Sequence, residues 1–202
     1  MSTASVREKI INAALDLFSQ KGYDATSVDE IAESIGMKGP NIYKYFKGKE
    51  EVLRELSSKM EEGYRQRMKM TPDVSASISS REDLKEFSMS QIRFTIEDDK
   101  IKKLRKMGTI EQFRNPHFSR QTSEHQFDNM QRQFSAIFKS LMDKGVIPQD
   151  DAEMMAMEYY APVSILIQLA DREPDRKEEV LGTVEKYIDF FLDRYFKSAK
   201  TA

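Results

Sequence analysis

Apolar residues recur at three- and four-residue intervals along almost the whole chain, and no segment alternates in the two-residue rhythm of a strand. The pattern predicts an all-α fold of about nine helices with no internal repeat. A first helix runs from about Ser5 to Lys21, with Ile10, Ala14, Leu17 and Phe18 on one face and Gly22 as C-cap. Ser27 and Glu30 form a capping-box pair opening a second, short helix that Gly36 ends. A third covers roughly Gly39 to Tyr45, with Pro40 tolerated in its first turn. A fourth starts near Lys49 and carries Leu53, Leu56, Met60 and Tyr64 on one stripe. Thr71-Pro72 and the serine-rich stretch from Ser75 to Ser80 then break the periodicity.

Beyond that break, Leu84, Phe87, Gln91 and Phe94 mark a helix ending near Asp98, and a short helix follows through Lys102–Lys106. A loop is expected around Asn115-Pro116. Phe127, Met130, Phe134, Ile137 and Leu141 define a long helix stopped by Gly145 and Pro148. The next, about Gln149 to Asp171, is apolar almost all round its middle, with Pro162 inside it. The last, about Arg176 to Lys197, carries Val180, Val184, Tyr187, Phe191 and Tyr195. The expected organisation is a small helical domain over residues 1–50, a connecting helix over about 49–69, and a larger helical domain over 70–202.

Charge changes the picture at one place. The chain has a net charge of −2, yet Ser34 to Lys49 contains no acid and four lysines, Lys38, Lys44, Lys47 and Lys49. Residues 1–70 hold 12 Lys/Arg against 11 Asp/Glu, and 71–202 hold 20 against 23, so a polyanion must be met by a focused patch. Cysteine is absent, which excludes disulfides, thiolate metal sites and cysteine nucleophiles. Arg7, Glu8 and Lys9 interrupt any apolar signal core, and Ala161–Ala170 is too short to span a bilayer. A soluble, cytoplasmic protein without a membrane partner is expected.

Within Ser27–Lys49 the apolar residues Val28, Ile31, Ala32, Ile35, Ile42 and Phe46 fall where a helix-turn-helix needs its internal contacts. Ala32 is small enough for two helices to approach, and Gly36 can take the left-handed turn. The remaining side chains then project outward. Tyr43, Tyr45 and Lys49 can donate to phosphates, helped by the helix start after Gly48. Gly39, Pro40, Asn41 and Lys44 lie at the start and face of the third helix, the positions that meet base edges in a major groove.

Ala13-Ala14, Leu17-Phe18, Gly22-Tyr23, Thr26-Ser27-Val28, Ile31-Ala32, Ile35-Gly36, Ile42 to Phe46 and Lys49-Glu50 together resemble the N-terminal domain of TetR-type transcriptional regulators, over about residues 6–55. The resemblance implies Thr26, Ser27, Tyr43, Tyr45 and Lys49 on the phosphate backbone and Gly39, Pro40, Asn41 and Lys44 near the bases of a double-stranded operator. Two positions depart from the pattern: Lys38 replaces a capping serine and adds a phosphate donor, and Gly48 precedes helix four.

One short recognition helix buries too little to select a genomic site, and dimers solve this with two. The resemblance implies a homodimer through the last two helices, with Ile165, Leu169, Val184, Ile188, Phe191, Leu192 and Tyr195 as interface candidates, although these stripes also read in part as simple core. It also implies a small, largely hydrophobic ligand, not otherwise identified, that releases DNA. Phe87, Phe94, Met107, Phe113, Phe127, Met130, Phe134 and Tyr159 could line its site, with Gln91 and Glu158 as orienting groups; the same stripes also read as ordinary core. His117 and His125 would share a helix face only if that helix began early, against which Pro116 speaks, so no metal or other cofactor is expected. There is no glycine-rich phosphate loop and no triad spacing, so catalysis is not expected. The expected function is a ligand-released repressor. The alternative is an adaptor or activator of the same fold acting through a protein partner.

Overall fold

The computed structural model describes residues 5–67 and 73–196, apart from the side chains of residues 60, 61, 63–67 and 73. Thr71-Pro72 and the side chains of Met60 and Tyr64 lie outside the described residues. Among the described residues there are eleven α-helices and no strand. These are α1 (Val6–Lys21), α2 (Val28–Ser34), α3 (Gly39–Ile42), α4 (Lys49–Arg67), α5 (Asp73–Ser77) and α6 (Arg81–Glu97), then α7 (Asp99–Glu111), α8 (Pro116–Ser123), α9 (Asn129–Asp143), α10 (Ala152–Arg172) and α11 (Lys177–Tyr195). A π turn, Glu124–Asp128, joins α8 to α9.

The two helices that periodicity did not mark are α5 and α8. Asn115-Pro116, expected as a loop, begins α8: the Asn115 Oδ1 accepts the His117 N–H at 3.0 Å, and Pro116 takes the first helical position, where its missing N–H costs nothing. The helix holds His117, while His125 falls in the π turn that follows it. Still, no group of three or more potential ligands among the described residues could hold a metal. Nor is any described helix long and apolar enough to cross a membrane.

The chain divides into two compact units, Met1–Met68 with Asp99–Thr122, and Lys69–Asp98 with Ser123–Ala202. The α7–α8 segment thus folds with α1–α4, although it lies beyond residue 70. In this first unit Ile10, Ala14, Phe18, Ile31, Ala32, Ile42 and Phe46 are buried together with Leu56, Met107 and Phe118. Its helix starts follow local chemistry. Ser5 Oγ accepts the Glu8 N–H at 3.2 Å while Glu8 takes the Ser5 N–H at 2.8 Å. Gly48 has no side chain to cap α4, and the Glu51 carboxylate instead accepts the Lys47 N–H at 2.6 Å.

The second unit is centred on an aromatic cluster. Tyr159 meets Phe191, Phe134 and Phe138 at centroid distances of 4.8, 5.0 and 5.5 Å. Its hydroxyl donates to Ser88 Oγ on α6 at 2.8 Å, so the one polar atom of this buried ring is satisfied. On the same unit's surface, Arg81 bridges Asp189 and Asp193 at 3.0 and 2.7 Å, and Lys85 bridges Asp189 and Glu185 at 2.8 and 3.2 Å, tying α6 to α11.

Candidate nucleic-acid interface

The helix-turn-helix begins with a capping box. Ser27 Oγ accepts the Glu30 N–H at 3.2 Å and donates to Glu30 Oε2 at 3.0 Å, while the Ser27 N–H reaches the same oxygen at 2.8 Å. A hydrogen bond from Lys21, and then those from Ser27, draws the Glu30 carboxyl down to about 2. At the other end of α2, Gly36 has φ +70°; its N–H donates to the Glu33 carbonyl at 2.9 Å and the Met37 N–H to the Ala32 carbonyl at 2.9 Å. This pair of bonds closes the helix and turns the chain, and it needs the left-handed conformation at Gly36.

The α3 helix starts at Lys38, extended and without a side-chain cap, and is followed by bonds from Tyr45 and Phe46 N–H to the Ile42 carbonyl at 2.9 and 3.0 Å. Ile42 and Phe46, 0% and 2% exposed, anchor this segment in the first unit's core. Tyr43, 59% exposed, and Lys44 therefore face outward, as do Lys38 and Pro40, while Gly39 and Asn41 are half-buried. Tyr45 is half-buried against the core, and its carbonyl accepts from Arg7 at 2.8 Å. Lys49 is half-buried too: its ammonium donates to the Tyr23 carbonyl at 2.7 Å and stands 4.2 Å from the centroid of that ring.

One expectation is corrected here. Thr26 is 2% exposed and its hydroxyl donates to the Gly22 carbonyl at 2.8 Å, so it builds the α1–α2 corner and offers nothing to a phosphate in this conformation. Ser27 is exposed, with its hydroxyl engaged in the cap. Three residues of this region were not legible as candidates. Arg7 donates to Glu55 at 2.7 Å and stands 4.3 Å from the Phe46 ring, clamping the start of α1 to the end of the reading segment and to α4. Asp29 fills the space that a Cβ on Gly39 would need, its Oδ1 lying 1.9 Å from that position. Glu111, distant in sequence, accepts the Tyr23 N–H at 2.7 Å. Each depends on a neighbour set by folding, and no local pattern announces it.

The candidates in the other helices scatter. Val184, Ile188, Phe191 and Leu192, expected at a dimer interface, are 0–2% exposed in the second unit's own core. The amphipathic stripe of α11 satisfies itself within the protomer. Leu169 and Tyr195 are half-buried against the same core, and Ile165, at 64%, is exposed. Met107 belongs to the core of the first unit, and Phe134 and Tyr159 are core of the second. Phe113 is 92% exposed and lines nothing in this conformation, and Phe127 is 48% exposed with its edge against Tyr160. Glu158 is at the surface, accepting from the Tyr195 hydroxyl at 2.9 Å. Phe87, Gln91, Phe94 and Met130 remain half-buried.

Comparison with known proteins accords with this geometry. Residues 10–56 match the family described as bacterial regulatory proteins, tetR family, and residues 82–197 match the AefR-like transcriptional repressor C-terminal domain. The HTH-type transcriptional regulator YttP of Bacillus subtilis is 39% identical over 80 residues, 40% of this chain and 39% of YttP. IcaR of Staphylococcus epidermidis, a negative regulator of the biofilm operon icaADBC, is 42% identical over 50 residues, 25% of this chain and 27% of IcaR. The chain thus spans well under half the length of these relatives. Among solved structures, a TetR-family transcriptional regulator from Mesorhizobium loti matches with TM-score 0.71 and 26% identity over 94% of this chain and 96% of that one. SmeT, repressor of the Stenotrophomonas maltophilia multidrug efflux pump SmeDEF, shares the fold with TM-score 0.70 and 20% identity over 98% and 94%. With a helix-turn-helix whose core orients a row of outward donors, and with family matches over both parts of its length, the chain belongs to the TetR family of bacterial regulatory proteins.

Proposed function

We propose that the protein is a cytoplasmic, homodimeric repressor that leaves its operator when a small, largely hydrophobic ligand binds. The observation that carries the DNA part is the anchoring of Ile42 and Phe46, which turns Tyr43 and Lys44 outward on the same short segment. In this reading Tyr43, Tyr45, Lys38, Lys49 and the exposed Ser27 hold phosphates, while Gly39, Pro40, Asn41 and Lys44 approach base edges. The helix-turn-helix domain is 1–50, α4 connects, and 70–202 senses and dimerises, with α7–α8 as the sensor's contribution to the DNA-binding unit.

The dimer surface shifts from the expected residues to those left without cover. Met154, Met157 and Ile165 repeat at helical spacing on α10 with 58%, 36% and 64% exposure, and Phe190 on α11 is 71% exposed. A second copy of the chain would bury them. The ligand reading rests on Phe87, Gln91 and Phe94, one half-buried stripe of α6, with Met130. A complex of SmeT with triclosan, of TM-score 0.68 and 21% identity, supports the class of ligand. Ligand would act only through its different affinity for the two conformations. The repressor sign is supported by the family of the C-terminal match.

The test is operator selection from a random duplex library, followed by titration of the selected DNA. The expected site has two half-sites about one helical turn apart, and occupied DNA should block transcription in a purified system. Selection of single, unpaired half-sites, or stimulation of transcription, would overturn the dimeric-repressor reading.

A further inference from the structure

Glu111 ends α7 with its whole side chain buried, 0% exposed. A buried carboxylate is costly unless its oxygens find donors. Here Oε1 accepts the Tyr23 N–H at 2.7 Å, while Oε2 has no hydrogen-bond partner. The site is built tightly around it. Gly22, with φ +91°, would bring a Cβ to 2.4 Å from Oε1, so the corner between α1 and α2 is shaped to admit this carboxylate. The other face of Tyr23 serves Lys49: its carbonyl takes the ammonium at 2.7 Å, the Asp24 carbonyl lies at 3.4 Å, and its ring stands 4.2 Å away. Phe18 and Phe118 hold that ring at centroid distances of 5.2 and 6.3 Å.

We propose that Glu111 is a positioning residue for DNA binding, holding the Tyr23 corner so that Lys49 is presented to an operator phosphate; the inference rests on the reading of Lys49 as a phosphate donor. An ammonium fixed by carbonyls and a ring has lost its rotamer freedom before DNA arrives, and a third N–H is left for the phosphate. The α7–α8 segment that carries Glu111 is entered from α6 and left into α9, two helices of the second compact unit.

The test is a titration of the selected operator across a salt series for the wild type, Lys49→Ala, Glu111→Gln, Glu111→Ala and the double variant Lys49→Ala/Glu111→Ala. One lost phosphate contact lowers the slope of log K against log salt by about 0.9, so a homodimer that loses one in each protomer loses about 1.8. Lys49→Ala and Glu111→Ala should each show that loss, with affinity reduced about tenfold, and the double variant should be no worse than either within about twofold. Glu111→Gln, which keeps an oxygen for the Tyr23 N–H, should stay within about twofold of the wild type in affinity and slope. If Glu111→Ala does not fold, Glu111→Leu fills the space without an acceptor and carries the same expectations. A wild-type slope in the Ala or Leu variant, a loss that adds to that of Lys49→Ala, or Glu111→Gln as impaired as Glu111→Ala would each overturn the proposal. A wild-type slope in Lys49→Ala would instead overturn the phosphate role of Lys49, and this inference with it.

Discussion

Gly39 opens α3 among the proposed base-proximal positions, and its reason lies in a neighbour. The Asp29 carboxylate occupies the position of the absent Cβ, with Oδ1 at 1.9 Å. An acid there opposes phosphate but can accept from the amino group of cytosine or adenine. Gly39→Ala must push Asp29 aside, and operator affinity is expected to fall about tenfold, roughly 1.4 kcal/mol, with little change in melting temperature because both side chains border solvent. Tyr43→Phe is the contrasting case. It removes one hydroxyl from an exposed ring, and a loss of about 1 kcal/mol in binding, about fivefold, is expected with unchanged stability. Fluorescence anisotropy with the selected operator, beside thermal unfolding, measures both; equal affinities for Tyr43→Phe and wild type would remove Tyr43 from the phosphate set.

At the scale of single helices, α2 is held by its two ends. Its start depends on Glu30, whose carboxyl is lowered to about 2 from an ordinary 4.5 by Lys21 and Ser27. A carboxyl lowered on folding stabilises fully above its unfolded value and loses that contribution as pH falls through the folded one. Glu30→Gln should therefore melt below the wild type at neutral pH, and the gap should narrow from about pH 4.5 downward and close near pH 2. Glu55, lowered chiefly by its hydrogen bond from Arg7, adds to the same acid limb. The end of α2 depends on Gly36, where no atom lies within 4 Å of a built Cβ but φ is +70°. Space permits alanine and conformation does not. Gly36→Ala is expected to cost about 1 kcal/mol, a fall of about 2–4 °C in melting temperature. A variant melting at or above the wild type would show that the turn does not need glycine.

For the whole molecule, charge and exposed apolar surface divide by unit. Residues 1–68 hold eleven Lys/Arg and eleven Asp/Glu, and 99–122 hold seven against two, so the positive excess of the first unit comes from α7–α8. The second unit is correspondingly acidic, and it carries the uncovered Met154, Met157, Ile165 and Phe190. Phe190→Glu places a charge at this exposed apolar position without touching the core. It should yield a monomer by analytical ultracentrifugation and weaken operator binding by roughly a hundredfold, because two half-sites no longer bind as one. A dimer that persists in Phe190→Glu and in Ile165→Arg would move the interface elsewhere.

Helical periodicity, capping pairs and turn glycines act over a few residues, so the sequence alone determined the all-α class, the box at Ser27 and Glu30, the turn at Gly36 and the core role of Ile31, Ala32, Ile42 and Phe46. Those same apolar anchors dictate which side chains face outward, which is why Tyr43 and Lys44 were legible as surface donors. Periodicity also says that a stripe will be buried but not against what. The stripe of Val184, Ile188, Phe191 and Leu192 reads from sequence as dimer surface or as core, and packing in the second unit places it in the protomer's own core. Likewise Asp29, Gly39 and Glu111 take their roles from partners that only folding brings near: a missing Cβ across the turn and an N–H far away in the chain. Local patterns fix where helices start, stop and turn, while side-chain partners depend on distances that exist only once the helices have packed.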